Sequence, residues 1–211
     1  MAKEKSQAQS VMDEIQASVR PFLKDLGFQA RSRAFNHRTS DGLTQVIEFQ
    51  MGRNHYGKFT VNVGVYVPEL YAYTFPDKKL SFIHEYDCWI RARLGQVGPE
   101  GRDIWWELSA IPEQAADVFH RIERDALPFL ARYETRENVI REWVTQLSTR
   151  GSIEFVLFSR SRQQFACAIM LAKQGRHEEA RSCALAALEH DPDHRCSAGI
   201  RAFLQELELQ S

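Results

Sequence analysis

The run Lys58 to Val67 carries Phe59, Val61, Val63, Val65 and Val67 at every second position, with Thr60, Asn62, Gly64 and Tyr66 between them. Such alternation is the period of a strand and not of a helix, so this chain has to build a sheet with one apolar face. Phe28 to Arg38, Leu43 to Met51, Glu85 to Leu94 and Asp103 to Ser109 are each strand-length, and Ser40-Asp41-Gly42, Asn54 to Gly57 and Pro99-Glu100-Gly101 supply turn signals. Strands in series without an intervening helical pattern predict an antiparallel meander of about five strands. The interval Pro68 to Ile83, which holds Pro76-Asp77-Lys78-Lys79, reads as a loop.

Helical periods flank this region. Val11, Met12, Ile15, Val19, Phe22, Leu23 and Leu26 define an amphipathic helix closed by Gly27, with Pro21 predicting a kink or a second start. From Pro112 the period turns helical again: Ala115, Val118, Phe119, Ile122, Leu127 and Leu130 share one stripe, interrupted near Pro128. Thr135 is placed to cap a helix carrying Val139, Ile140, Trp143, Val144 and Leu147. Ile153 to Phe158 is short and apolar and fits strand or helix equally; three further helices follow at Gln163 to Gln174, Glu178 to His190 and Cys196 to Leu207. The class is therefore α+β, with helices on one face of the sheet, divided into an α+β domain over residues 1–133 and a C-terminal helical segment over 134–211.

Strand parity sorts the side chains. Cys88, Ile90, Ala92 and Leu94 are expected on the packing side, as are Ile47, Phe49, Met51, Ile104, Trp106 and Leu108; Val46 breaks the pattern. The opposite side then gathers Glu48, Gln50, Asn62, Tyr66, Asp87, Trp89, Arg91, Arg93, Trp105 and Glu107. Guanidiniums, carboxylates and indoles in rows can hold a ligand, since arginine offers a planar fork of donors to a carboxylate or phosphate and an indole can stack on a ring. The competing expectation is an ion-pair ladder, in which Asp87, Glu48 and Glu107 neutralise the arginines across strands.

Leu26-Gly27-Phe28, Arg33-Ala34-Phe35, Gln45 to Gln50, Phe59 to Val65, Asp87 to Gly95 and Asp103 to Trp106, in this order and spacing, resemble a bacterial family known as domain of unknown function 4304, over about residues 11–110. The resemblance implies one domain there and carries no activity with it. Leu171 to Ala180, followed by Ala184, Ala187-Leu188 and Asp191-Pro192-Asp193, resembles the second half of a tetratricopeptide-type repeat. A single hairpin of that kind cannot bury its own core, so Phe165, Ile169 and Leu185 are expected to pack on neighbouring helices.

Lys and Arg number 27 against 28 Asp and Glu, which gives no global attraction to nucleic acid or anionic membrane. The polar N-terminus and the absence of a long apolar run predict a cytoplasmic protein without a membrane span. Cys88, Cys167, Cys183 and Cys196 are dispersed and expected to be reduced. His84, Glu85, Asp87 and Cys88 alternate between strand faces, and His190 and His194, near Cys196 and Cys183, span the break at Pro192, so no metal or cofactor is expected. Phosphate-loop, dinucleotide-turn, His-Glu-x-x-His and nucleophile-elbow motifs are all missing. The expectation is a non-enzymatic module that binds a protein, a peptide or a small anionic ligand through Asp87, Trp89, Arg91, Arg93, Trp105, Glu107, Tyr66, Asn62 and Glu48. An enzyme using Asp87 and Arg91 is the alternative; single-stranded nucleic acid, stacked on Trp89 and Trp105, is disfavoured by the carboxylates on the same face.

Overall fold

A computed structural model describes residues 7–52, 57–108, 111–191 and 196–209, and the chain divides into two compact units, Met1–Tyr66 with Lys79–Glu134 and Val67–Lys78 with Thr135–Ser211. In the first unit α1 (Gln7–Asp25) leads into β1 (Gln29–Arg31), β2 (Ala34–Arg38), β3 (Thr44–Met51) and β4 (Lys58–Tyr66). After the second unit's insertion come β5 (Ile90–Arg93), a one-turn α3 (Leu94–Val97), β6 (Trp106–Glu107), α4 (Ile111–Arg121) and α5 (Leu127–Ala131). The antiparallel sheet runs β1-β2-β3-β4-β5, and β6 also pairs with β4, at Lys58 and Phe59.

α1 keeps its helix through Pro21 and buries Val11, Met12, Ile15, Val19 and Leu23. It ends as the glycine signal predicts: Gly27 adopts φ +85° and the Phe28 amide donates to Leu23 O at 2.9 Å. The expected first strand is two strands, folded back at Ser32, whose φ of +53° is unusual for a residue with a side chain.

On the apolar face Phe35, Phe49, Phe59 and Trp106 form an aromatic row across four strands, with centroid separations of 6.0, 6.3 and 5.4 Å. Helices cover this face. Arg20 of α1 lies over the Phe35 ring, Phe22 meets Phe119 of α4 at 4.7 Å, and Trp106 Nε1 donates to Asp117 of α4 at 2.7 Å. Gln45 Nε2 donates to Leu130 O at 3.0 Å, a second hydrogen bond to a carbonyl that also accepts the Tyr133 amide at 3.0 Å past the end of α5. Between α4 and α5 the residues Ile122–Ala126 widen into a π turn, where the Leu127 amide reaches Ile122 O. The imino acid Pro128 has no amide hydrogen, and the widened turn carries the chain past it without a break.

The second unit begins with α2 (Pro68–Thr74), where a loop was expected; Pro68 opens this helix in its first turn. Arg136 forks onto the Glu69 carboxylate at 2.7 and 3.0 Å and ties α2 to α6 (Arg136–Arg150). The Thr135 hydroxyl accepts the Asn138 amide at 3.2 Å, the cap read from sequence. α7 (Arg160–Lys173) and α8 (His177–Glu189) form a hairpin turned at Gly175, and α9 (Ser197–Leu209) packs beside it. Ala168, Ala180, Ala184 and Ala187 are fully buried in the seam, and Phe165 meets Phe203 of α9 and Tyr73 of α2. Leu185, expected to be buried, is 40% exposed because it lies on the solvent side of α8. His194 and the Pro192-Asp193 step lie outside the described residues.

Ile153 to Phe158 is neither strand nor helix. Gln163, 4% exposed, substitutes for a backbone ladder: its Oε1 accepts the Ile153 amide at 2.8 Å, and its Nε2 donates to Val156 O at 2.9 Å and Phe158 O at 3.0 Å. Gln163→Leu keeps the volume but leaves the buried Ile153 amide without its acceptor and removes a donor from Val156 O and Phe158 O, so the urea midpoint should fall by the equivalent of about 2–3 kcal/mol. An unchanged midpoint would show that the loop does not depend on this side chain.

Candidate functional site

β4 is buried on both faces. Phe59, Val61, Val63 and Val65 are inaccessible on one side, as expected, but Thr60 (0% exposed) and Asn62 (5%) are covered on the other. The covering chain comes from residues 80–105, where sequence parity fails. Glu85–Asp87 is a 3-10 turn and β5 starts only at Ile90, so counting alternate residues back from Ile90 to Cys88 and Asp87 loses its meaning. Cys88, expected beside the core, lies instead on the polar side against Gly64, where a Cβ added to the glycine would sit 3.0 Å from Cys88 Cβ and Sγ. It joins Val46 and Ile83 in a small apolar cluster, which also explains why Val46 interrupts the alternation of its strand. Ile104, likewise expected in the core, sits over the polar side: its carbonyl accepts the Thr60 hydroxyl at 2.9 Å.

Within β5 the parity reading holds, with Ile90 and Ala92 buried and Arg91 and Arg93 half-buried on the other side. The register aligns Glu48, Asn62 and Arg93 in one row and Val46, Gly64 and Arg91 in the next. The ion pairs do not follow that register. Arg91 forks onto Glu85 at 2.7 and 3.1 Å, and Arg93 pairs with Asp103 while its guanidinium lies 5.1 Å from the Trp105 ring. Burial alone would lower the Arg91 pKa; the Glu85 hydrogen bonds and charge outweigh it, and the pKa is raised. Glu107 pairs with Lys58 at 2.8 Å, and Asn62 donates to Gln50 at 2.8 Å. Trp89 is buried, 9% exposed, and Tyr66 packs on the Val46 cluster.

Glu48 organises the rim. Its Oε1 meets His84 Nδ1 at 3.0 Å and its Oε2 accepts the Glu85 amide at 2.8 Å, while Asp87 Oδ2 accepts the His84 amide at 3.0 Å. The 3-10 turn is thereby fixed at three points, and Tyr86 at its apex is stacked on His84, centroids 5.2 Å apart, with 65% of its surface exposed. Phe82 meets His84 edge-on, with centroids 6.0 Å apart. His84, Glu85 and Tyr86 were missed as site residues because a short 3-10 turn has no periodic signature. The Cys88 thiol has a pKa well above the usual thiol range, through burial first and the nearby Glu85 and Asp87 charges second, so it is no ready nucleophile. Among the described residues no cluster of His, Cys, Asp and Glu could hold a metal ion, and no helix is long and apolar enough to cross a membrane.

A family model described as a domain of unknown function, DUF4304, matches residues 19–132. No curated protein and no solved structure matches the chain.

Two substitutions check this construction. Gly95→Ala would drive a methyl group into Arg102 O and the Ile104 side chain, and should lower stability by about 2–3 kcal/mol. Glu85→Gln, leaving Arg91 half-buried without its counter-charge, should cost about 1–2 kcal/mol, and the Arg91→Leu background should reduce that cost by at least half in a double-mutant cycle. Additive losses in the cycle would show that the two side chains are not energetically paired.

Proposed function

This chain belongs to the DUF4304 family, whose description assigns no activity, and we propose that it acts by binding a protein or peptide through the polar-aromatic side of the sheet in its first unit, without turnover. The observation that carries the reading is Tyr86: a largely exposed ring, stacked on His84, on a turn that Glu48 and Asp87 hold in place. An aromatic side chain presented rigidly has little conformational entropy to lose on association, which is the property of interface hot spots. Trp105, half-buried beside Arg93, extends the same surface.

A small anionic ligand fits less well. It would have to displace Glu85 from Arg91 or Asp103 from Arg93 before meeting either guanidinium. Asp87, the acid of the enzymatic alternative, accepts a backbone amide and so serves the turn. One observation favours that second reading in a different form: Glu48 holds His84 at Nδ1, the way a carboxylate orients a general base. Cytoplasmic location belongs to the same proposal, and four free cysteines suit a reducing compartment.

A photo-crosslinking residue in place of Tyr86, expressed in the native host, should yield a protein adduct, whereas the same residue in place of Arg181 on α8 should not. Equal labelling at both positions, or none at 86, removes the binding reading. Turnover of a substrate abolished by His84→Ala with an unchanged melting temperature would establish the enzymatic one.

A further inference from the structure

Between Arg20 and Arg38 the sequence carries five cations, Arg20, Lys24, Arg31, Arg33 and Arg38, and a single carboxylate, Asp25, in a chain of net charge −1. Folding gathers the first four around one edge of the sheet. β1 ends the strand order, all of its residues, Gln29, Ala30 and Arg31, are exposed, and among the described residues no further strand pairs with its outer edge. Arg20 lies over Phe35, the register partner of Ala30, which puts it on the helix-covered side of this edge; Lys24 follows one turn later on α1. Arg31, whose register partner is Ala34 and through it Glu48, stands on the opposite side, and Arg33 leaves the turn at Ser32.

None of these residues forms an ion pair among the described residues, whereas Arg91, Arg93, Arg121 and Arg124 of the same unit are all matched by carboxylates. Arg31 is nonetheless held, by a 3.2 Å hydrogen bond to Ser81 Oγ and by the Phe82 ring at 5.9 Å. Phe82 touches His84, and His84 stacks on Tyr86, so the edge is continuous with the surface described above.

We propose that the β1 edge is a docking strand for an acidic, extended polypeptide segment, which adds to the sheet beside Gln29–Arg31 and places carboxylates on both sides of the new strand. This rests on the binding reading above and names the partner's chemistry. A single charge is enough to guard a short edge against unwanted pairing; a cluster of uncompensated cations on both sides of it matches a strand whose alternate side chains point both ways. A polynucleotide could meet the charges but not the backbone edge, which is why a peptide is the better fit.

The test is a titration of the isotopically labelled full chain, followed by amide chemical shifts, with three probes. They are the blocked peptide Glu-Glu-Val-Val-Glu-Glu, its counterpart Glu-Glu-Pro-Val-Glu-Glu, and a ten-residue oligothymidylate. The first should shift the amides of Gln29 to Arg33 in a saturable way, and Arg31→Glu with Arg33→Glu, both off the core, should weaken it at least tenfold with an unchanged melting temperature. The proline peptide, equal in charge but lacking one strand donor, should bind at least fivefold more weakly. Absence of shifts at the edge, shifts centred elsewhere, equal binding of the proline peptide, or equal or tighter binding of the oligonucleotide would each overturn strand addition. Crosslinking at Tyr86 separates the two levels: adducts there without edge shifts defeat this inference alone, and no adducts defeat the binding reading beneath it.

Discussion

Everything in the first unit hangs on β4 being covered from both sides. Its Phe59, Val61, Val63 and Val65 anchor the aromatic and aliphatic core, and each contributes about 1.5–3 kcal/mol of burial free energy. Its other side is built from residues that tolerate close approach: Gly64 admits Cys88 and the Ile90 carbonyl, while Thr60 and Asn62 have hydrogen-bond partners of their own. A bulky or charged residue at any of these three positions would push residues 80–105 off the sheet. That segment supplies His84, Glu85, Tyr86, Arg91, Arg93 and Trp105, so the candidate surface exists only because the strand beneath it is narrow on that side.

The alternating runs were legible because a strand's period is a property of the backbone: β3 and β4 stand where residues 43–67 place them, and Ile90 and Arg91 face opposite ways. Helix ends at Gly27 and Thr135 were legible for the same reason, since one residue type supplies the geometry or the acceptor that the end requires. The failures share a cause too. Ser32 turns the chain without glycine, and the turn at Glu85 resets the count of alternate residues, so the parity of Cys88 and Asp87 could not be inherited from Ile90. Ion-pair partners depend on register and on loop paths; Glu85 and Asp103, not Asp87 and Glu107, meet the arginines.

The electrostatics divide the first unit into two regimes. On the sheet side that carries Tyr86, charges are internally matched and half-buried, and they act to shape the chain. Around β1, Arg20, Lys24 and Arg31 are exposed and form no ion pair among the described residues, and their field extends into solvent over about 8–10 Å at physiological salt. The first kind fixes the geometry of the chain, and the second kind projects a positive field into solvent.

The π turn at Ile122–Ala126 inserts an extra residue into an otherwise continuous helix. Every side chain after it is rotated by about 100° from where an uninterrupted α-helix would put it. Phe129, Leu130 and Tyr133 reach the interior, and the Leu130 carbonyl reaches Gln45, only because of that rotation. The segment is therefore keyed to length more than to composition: conservative exchanges within residues 122–126 leave the phase of the helix alone, while loss of one residue would turn its apolar stripe toward water.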